Sequence, residues 1–588
     1  YYQPDYFATT EPFLILNALI YIAIAVRYAY QQAPHLTHYA EGMLIFGVPL
    51  IGFGLQVALV KDFEYGSAWS SAVLAAFYLL LARWLHARQR ESLHLLIESF
   101  LALGVIFATL TLPLALDARW TSAAWALEGA GVFWLGMRQQ RQLARLFGLL
   151  LQILAALALL KPYEAVAVYP LVNAPFLGSL LMALAGWFIH RQIVKPRDDT
   201  VASPGEQSLA PLLFLWSLGW WLAAGWGDIE RFIDAPHRLT ALLAFATATV
   251  ATFGPLYLRW QWREAAWPFL AFLPTLAILA LAMAAAHDHP FAAYGWLVWP
   301  LALATHVWLL RKLQPEAPTF YFGLLHSATL LFLAALGAWE MHWLAGQFGP
   351  RYSAWSVCSV IGIPCLLLLT ACSQRLATRW PLVDYEKSYL QDAGRVILVG
   401  LWLWVFYANF SHDGAMPPLP YLPLINVLDL GHILILLTVL KWRQWAKRCD
   451  FEVSVGPAPL IAISLASFVW VNAALLRTLH HWAAIPYRFD DLMRSVLVQT
   501  SLSIFWTLLA LGAMLAGTKK QLRPIWFAGA GLMAVVVGKL FLVDLSNIGG
   551  ILRIVSFIGV GVLMLVIGYI APLPPAMTDA ANEQERNP

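Results

Sequence analysis

The chain has 588 residues, of which 60% are hydrophobic and 12% charged, and its mean hydropathy is +0.67. A water-soluble protein of this size cannot hide so much apolar surface, so the composition excludes a soluble globular protein. Apolar runs long enough to cross a bilayer recur from end to end, and they predict an all-α, polytopic integral membrane protein. A β-barrel would show short alternating segments instead.

Hydropathy predicts about nineteen membrane-spanning helices. Residues 1–571 are therefore interpreted as one multi-helix transmembrane domain. The last residues, 572–588, are polar and rich in Pro and Asn, and they are expected to form a disordered cytoplasmic tail. The shortest predicted span is 395–410. The predicted spans are 12–31, 42–60, 67–85, 93–116, 119–137, 141–160, 174–192, 209–226, 238–258, 266–285, 290–310, 319–339, 353–372, 395–410, 423–442, 456–476, 495–517, 524–543 and 551–571.

Basic residues cluster in alternate turns between these helices. The positive-inside rule places the basic turns in the cytoplasm, so residue 1 lies outside and residue 588 inside. Because the basic residues are spread along this rim as anchors, they do not predict nucleic-acid binding despite the net charge of +4. The basic groups are Arg83, Arg88 and Arg90; Arg138, Arg141 and Arg145; Arg191, Lys195 and Arg197; Arg259 and Arg263; Arg311 and Lys312; Arg375, Arg379, Lys387 and Arg395; Lys441, Arg443, Lys447 and Arg448; and Lys519, Lys520 and Arg523.

The opposite turns have a different chemistry. They contain acids and histidines, such as His412 with Asp413 and His480 with His481, together with Trp and Pro. Any chemistry is therefore expected at or just beneath the outer face. The plainer interpretation is that polar and aromatic side chains simply populate the membrane interface.

A carboxylate, Glu128, lies near the middle of the predicted helix 119–137. It follows Arg119 by nine residues, which places it roughly 13 Å deep. Such a group must be protonated, paired or in contact with water inside the protein, so Glu128 is a candidate catalytic proton acceptor or substrate ligand. Gly129 and Gly131 are expected to let a neighbouring backbone approach closely. The alternative for Glu128 is a structural pair with Lys161, Lys539 or Arg553.

Asp429 and His432 form a second candidate catalytic group. They are three residues apart on the helix that begins PLINVLDLGH, so they share one face, and Asn426 lies one turn earlier on that face. An aspartate can orient a histidine for general-base or proton-relay chemistry. Two such ligands do not make a metal site. The alternative is a buried polar network that links helices.

Two further clusters are candidate substrate-binding groups. One surrounds the last outer turn, where a helix N-terminus and basic groups would suit an anion; mutual neutralisation of charges is the alternative. The other leaves the helix ending in ALLRTLHH and would suit a lipid phosphate or pyrophosphate; snorkelling to the interface is the alternative. The first cluster is Lys539, Asp544 and Arg553, and the second is Asn472, Arg477, His480 and His481.

The cysteines do not predict a disulfide or a metal site. Cys358, Cys365 and Cys372 repeat every seventh residue on one helix, which separates them by about 10 Å along the axis, so they are interpreted as small packing residues. The sequence contains no Walker loop, dinucleotide fingerprint, HExxH or Gly-x-Ser-x-Gly motif. ATP hydrolysis and nicotinamide chemistry are therefore not expected, and no cofactor follows from the sequence.

Two degenerate internal repeats are present. Residues 169–178 (YPLVNAPFLG) and 421–431 (YLPLINVLDLG) share Pro-Leu-(Val/Ile)-Asn followed by Gly. The spacing of a Trp and two Gly also recurs, because Trp125, Gly136 and Gly148 match Trp506, Gly517 and Gly529. Duplicated helices occur in transporters and in other membrane proteins, so the repeats do not discriminate between functions.

Several stretches resemble a family of bacterial predicted membrane proteins of unknown function that is noted for its very large number of helices. The resemblance implies a bacterial inner-membrane location and no particular activity. Members of that family are longer at the N-terminus, with a coiled-coil stretch and further spanning helices, so the chain is expected to be a fragment. The matching stretches are TEPFLIL at 10–16, TLPLAL at 111–116, WALEGAGVFWLG at 125–136 and GKLFLVDLSNIGGILRIVSFIGVGVLMLVIGY at 538–569.

Three hypotheses for function follow. The first is a protein that transfers, flips or presents an envelope lipid or glycan at the extracytoplasmic face, because the acids, histidines and aromatic residues lie on that side. The second is a transporter or channel built from repeated helices. The third is a non-catalytic scaffold that binds envelope proteins. The lipid bilayer is the expected partner under all three, and the sequence alone does not separate them.

Overall fold

The computed structural model describes most of the chain, and the regular secondary structure of the described residues is helical. β-Pairing within them is limited to one isolated bridge between Met416 and Leu419. The predicted all-α fold is therefore confirmed. The predicted segment 551–571, apart from a few residues, most of the predicted tail, and the residues Lys161, Asp544 and Arg553 lie outside the described part. The described residues are 6–31, 43–88, 93–115, 118–160, 169–195, 201–314, 319–348, 353–449, 458–540, 542, 562, 565, 569 and 571–573.

Packing divides the chain into two units, Tyr1–Leu270 and Ala271–Pro588. The first unit is built mainly from helical hairpins in which consecutive helices pack side by side. Its helices are α1 (Phe7–Gln31), α2 (Val48–Leu59), α3 (Gly66–His86), α4 (His94–Ala115), α5 (Ala118–Arg138), α6 (Gln142–Leu159), α7 (Ala174–Val194), α8 (Pro204–Phe232) and α9 (Arg238–Trp260).

The second unit has a core formed by α13, α14 and α15. Cys358 and Cys365 of α13, and Cys372 directly after it, are buried in this core, as expected for small packing residues. The helices of this unit are α10 (Phe272–Ala286), α11 (Gly295–Leu313), α12 (Thr319–Phe348), α13 (Ala354–Ala371), α14 (Gly394–Ser411), α15 (Val427–Arg448), α16 (Ala458–Ala483), α17 (Val496–Lys519) and α18 (Arg523–Lys539).

Each predicted span up to 524–543 coincides with a helix. Twelve spans among the described residues are long and apolar enough to cross a membrane. Helices α5 and α15 fall outside this group because they carry polar residues, including Glu128 and Asp429, that lower their hydropathy. The count of nineteen stays a prediction. The segment 395–410 is longer than predicted, because helical turns extend it upstream to Leu382–Ser411 through the polar stretch KSYLQDA.

The α5–α6 hairpin depends on glycines that bring two backbones together. A Cβ on Gly129 would lie 2.7 Å from the carbonyl oxygen of Gly148, and a Cβ on Gly148 would lie 2.6 Å from the oxygen of Gly129. The predicted close approach is thus confirmed at Gly129. It was wrong for Gly131, which has no neighbour within 4 Å and lies on the exposed face of the helix.

The hairpins α5–α6 and α17–α18 repeat the same local geometry. Their turns place Gln140 and Gln521 in the left-handed region at the same φ of 55°. In each turn, the amide after the glutamine donates a hydrogen bond to the carbonyl of the glycine five residues earlier, Gly136 or Gly517. The repeat seen in the sequence is therefore a repeat of backbone structure.

We expect Gly129→Ala to weaken the α5–α6 contact, because the added methyl group would overlap the Gly148 carbonyl. The free energy of unfolding should fall by about 1–3 kcal/mol. Gly131→Ala is the matched control, since its methyl group meets open space, and it should cause no loss. Thermal unfolding in detergent micelles, followed by tryptophan fluorescence, measures both. Equal melting temperatures for the two variants would contradict this account of the hairpin.

Candidate functional site

A buried ion pair joins α15 to α16 near one end of the second unit. Nη2 of Arg477 donates to Oδ1 of Asp429 at 2.8 Å, and neither side chain has any exposed surface. Removing either ion from water alone costs several kcal/mol, so each group depends on the other for its place in the fold. From the sequence, Asp429 and Arg477 are predicted in two separate candidate groups.

Asp429 is the central acceptor of this site. Its Oδ1 also accepts a hydrogen bond from Nε1 of Trp470 at 2.8 Å. Its Oδ2 accepts from the backbone amide of Leu424 at 3.1 Å and from the side-chain amide of Asn426. Both oxygens therefore have two donors, and the carboxylate holds α16 and the loop before α15 against the start of its own helix.

His432 is held by other partners than the predicted one. Its Nδ1 lies 2.7 Å from the carbonyl oxygen of Leu428, and its Nε2 lies 2.8 Å from Nδ2 of Asn409. We therefore assign the neutral tautomer with the proton on Nδ1. The described contacts of His432 do not include Asp429. The two residues are connected through Asn409, whose Oδ1 accepts from Nη1 of Arg477 at 2.9 Å.

The turn before α15 explains why Asn426 belongs to the site. Its side-chain oxygen caps the helix by accepting from the amide of Asp429 at 3.0 Å. Leu424 adopts a left-handed φ of 64°, which helps the turn direct its amide to the Asp429 carboxylate. The N-cap residue and the turn together direct two donors, the Leu424 amide and Nδ2 of Asn426, at Oδ2 of Asp429.

The first unit contains the same turn with a carboxylate from a different helix. Asn173 caps α7, and Leu171 has a φ of 62°. The amide of Leu171 and Nδ2 of Asn173 donate to Asp228 at 2.8 and 2.6 Å. Asp228 comes from α8, whereas Asp429 comes from the capped helix itself. The repeated Pro-Leu-x-Asn sequence is therefore a repeated carboxylate-binding turn.

Polar and aromatic side chains cover the ion pair. We call His412, Asp413, Tyr421, His480, His481 and Tyr487 the cap. The ring of Tyr421 stacks on His481 at 4.3 Å between centroids, and Nε2 of His481 lies 3.0 Å from the carbonyl oxygen of Asp413. Nε2 of His480 lies 3.7 Å from the Asp413 carboxylate. Burial raises the pKa of both Tyr421 and Tyr487, so these phenols stay neutral at physiological pH.

Gly414 lets the loop that carries His412 and Asp413 pack closely against Arg477 of the ion pair. It has a φ of 81°, and a Cβ at this position would lie 2.9 Å from Cδ of Arg477 and 3.0 Å from the Tyr421 ring. A side chain here would be strained and crowded. The cap and the buried network are therefore one packed structure.

An apolar cleft of 540 Å³ extends from this network along α14, α15 and α16. His432 and Trp470 line its end nearest the network, and their rings lie parallel at 5.6 Å between centroids. The cleft ends near Arg395 and Pro459, and nearly all of its wall is apolar. Its dimensions and chemistry suit a hydrocarbon chain.

The remaining predicted residues lie elsewhere. In the first unit, Oε1 of Glu128 accepts from Oγ1 of Thr109 at 2.6 Å, while its buried Oε2 has no partner among the described atoms. In the second unit, Nζ of Lys539 donates to the Gln499 carbonyl at 3.0 Å and to Oγ of Ser503 at 2.7 Å. Lys539 is thus a donor between α17 and α18, apart from the ion pair.

Asn409 and Trp470 are not among the site residues predicted from the sequence. Asn409 interrupts the apolar run of α14, and that interruption was the available signal. Trp470 carried none, because tryptophan is frequent throughout the chain and its hydrogen bond to Asp429 depends on tertiary packing.

We expect Asp429→Asn to destabilise the protein far more than Glu128→Gln. The first change leaves Arg477 buried without a counter-charge and should cost about 3–5 kcal/mol. The second keeps an acceptor for Thr109 and leaves one buried amide unpaired, at about 1–3 kcal/mol. Membrane abundance and thermal unfolding in detergent are the measurements. An Asp429→Asn protein that melts with the parent would show that the pair is dispensable.

No curated protein and no solved structure matches the chain. One family model matches residues 1–574, and its description is a predicted membrane protein (DUF2339). The match extends over almost the entire chain and agrees with the helical fold and the apolar spans. The chain therefore belongs to the DUF2339 family of predicted membrane proteins.

Proposed function

We propose that this protein binds and presents an amphipathic envelope lipid, with its hydrocarbon chain in the cleft between α14, α15 and α16 and its polar end at the cap. The proposal narrows the broader hypothesis of lipid or glycan transfer, flipping or presentation. It commits to the step that the geometry supports best, which is binding.

The observation that best supports this proposal is the order of apolar, charged and polar side chains along α16. Residues from Pro459 to Trp470 line the apolar cleft, Arg477 holds the buried ion pair, and His480 and His481 belong to the cap. The ten residues from Trp470 to His480 correspond to a rise of about 15 Å. One helix thus carries the apolar cleft, the ion pair and the polar cap in this order. The order matches the apolar chain and polar headgroup of an amphipathic molecule.

Binding is better supported than group transfer. Each Asp429 oxygen already accepts two hydrogen bonds, and both His432 nitrogens have partners. A general base needs a nitrogen or oxygen directed at the substrate proton. These side chains therefore act best as positioning residues that fix the walls of the cleft. The half-buried His480 and His481 are the groups placed to contact a polar headgroup.

The proposed location is the bacterial inner membrane with the cap outside the cytoplasm. The basic turns predict this orientation. The end of the described chain supports it, because Nε1 of Trp526 donates to the carbonyl of Ala571 at 2.9 Å. This contact puts Ala571 near the basic turn 519–523, which the positive-inside rule assigns to the cytoplasm.

The natural cysteines provide a test of orientation. Cys449 is exposed at the end of α15, whereas the cysteines of α13 are buried. A membrane-impermeant maleimide should label Cys449 only after the inner membrane is opened. In a Cys449→Ala background, Ala483→Cys at the exposed C-terminal end of α16 should be labelled in intact spheroplasts. Labelling of both positions from the same side would refute the proposed topology.

Filling the cleft tests the proposed ligand. Ala466 lines the cleft, so Ala466→Trp should displace the hydrocarbon chain and reduce co-purified lipid at least several-fold. Lipid bound to protein purified in mild detergent is measured by native mass spectrometry and by extraction. Leu465→Trp is the matched control, because Leu465 is 46% exposed and lies outside the cleft lining.

A lipid that remains bound to Ala466→Trp in the same amount as to Leu465→Trp would contradict the proposal. The melting temperature of each variant separates loss of ligand from loss of fold. If the Ala466→Trp protein is folded and still retains its lipid, the lipid does not bind in this cleft.

A further inference from the structure

We propose a second lipid site in the first unit, where an aromatic cleft between α7, α8 and α9 binds an anionic glycerophospholipid of the cytoplasmic leaflet. This site lies in a different unit from the cleft of the proposed function and does not depend on it. Either proposal can fail while the other stands.

The aromatic cleft has a volume of 440 Å³ and an apolar wall. Aromatic rings make up much of its lining and pack against one another: Trp187 meets Phe253 edge to face at 5.0 Å between centroids. Leu180 and Leu184 continue the wall along α7. The aromatic residues of the lining are Trp187, Phe188, Trp221, Phe253, Trp260 and Trp262.

A guanidinium group lies at one end of this apolar space. Arg191 belongs to the lining, and its Nη1 is buried without a hydrogen-bond partner among the described atoms. A buried donor of this kind normally has an acceptor, because leaving it unpaired costs free energy. A phosphate oxygen supplies such an acceptor and a charge-assisted bond as well.

Further positive charge lies at the same end. Nζ of Lys195 approaches the carbonyl oxygen of Trp260 at 3.4 Å, and Arg259 is exposed beside that tryptophan. The acid of this region, Glu264, has its Oε2 3.3 Å from Nε2 of His190. The charge at the mouth of the cleft is therefore positive, which complements an anionic headgroup.

The basic residues at one end of the aromatic cleft favour a lipid of the cytoplasmic leaflet. Arg191 lies near the C-terminus of α7, about 27 Å along the helix from its capped start at Asn173. This end carries Arg191 and Lys195 and is cytoplasmic under the positive-inside rule. An acyl chain in the aromatic cleft and a phosphate at Arg191 would then match the orientation of an inner-leaflet lipid.

The test uses the full chain in detergent and phosphatidylglycerol as the probe. Native mass spectrometry should detect retained phosphatidylglycerol on the parent protein, and Arg191→Gln should weaken its binding about tenfold. Arg231→Gln is the matched control, since Arg231 is an exposed basic residue in the last turn of α8 and lies outside the cleft lining, and it should bind as the parent does. Phosphatidylcholine should bind more weakly than phosphatidylglycerol to the parent.

A cleft-filling variant guards against a folding defect in Arg191→Gln. Leu184→Trp keeps the guanidinium but occupies the cleft, so it should also lose phosphatidylglycerol. Equal binding to the parent, Arg191→Gln and Leu184→Trp would overturn the proposal. Displacement of the lipid by excess inorganic phosphate alone would overturn the lipid assignment in favour of a headgroup-only site. Loss on Ala466→Trp instead would assign the lipid to the other cleft.

Discussion

One interaction, the ion pair between Arg477 and Asp429, supports the end of the second unit that carries the cap. In a hydrocarbon environment neither charge can be left without a partner, so the fold has to bring α15 and α16 together at one defined register. Asn409, Asn426 and Trp470 then form hydrogen bonds with further polar atoms of the pair, while Nε of Arg477 is buried without a hydrogen-bond partner among the described atoms. Because every member is bonded to another, the network is rigid, and rigidity at this position fixes the walls of the neighbouring cleft.

The two carboxylate-binding turns show how such a network can diverge. Backbone geometry is the shared part, since Leu171 and Leu424 have nearly equal φ values and each precedes a capping asparagine by two residues. The acid is the variable part, because α8 supplies Asp228 to one turn and α15 supplies Asp429 to the other. The turn constrains where a carboxylate sits and leaves open which helix delivers it. Only in the second turn does an arginine complete an ion pair among the described contacts.

The helices and the repeats could be predicted from the sequence because they follow from local rules. Hydropathy located the helices, and the shared Pro-Leu-x-Asn pattern marked a repeat that the structure shows to be a repeated turn. The site itself was harder to predict. Asp429, Asn426 and Arg477 were each identified as candidates, but their bonds connect helices that lie far apart in sequence. The pairing of Asp429 with Arg477 rather than with His432 depends on how α15 and α16 pack, and no spacing along one helix contains that information.

The same reasoning explains why the polar network and the clefts have different roles. Polar groups in lipid are stable when their hydrogen bonds are complete, so the network around Asp429 has little capacity left for a substrate. An apolar cleft differs, because the atoms of its wall make their full van der Waals contacts only when another hydrocarbon group packs against them. Ligand specificity must then come from the few polar groups at the ends of a cleft, such as the cap above α16 or Arg191 on α7. The paired charges therefore stabilise the fold, and under the proposed function the polar groups at the ends of the apolar clefts recognise the ligand.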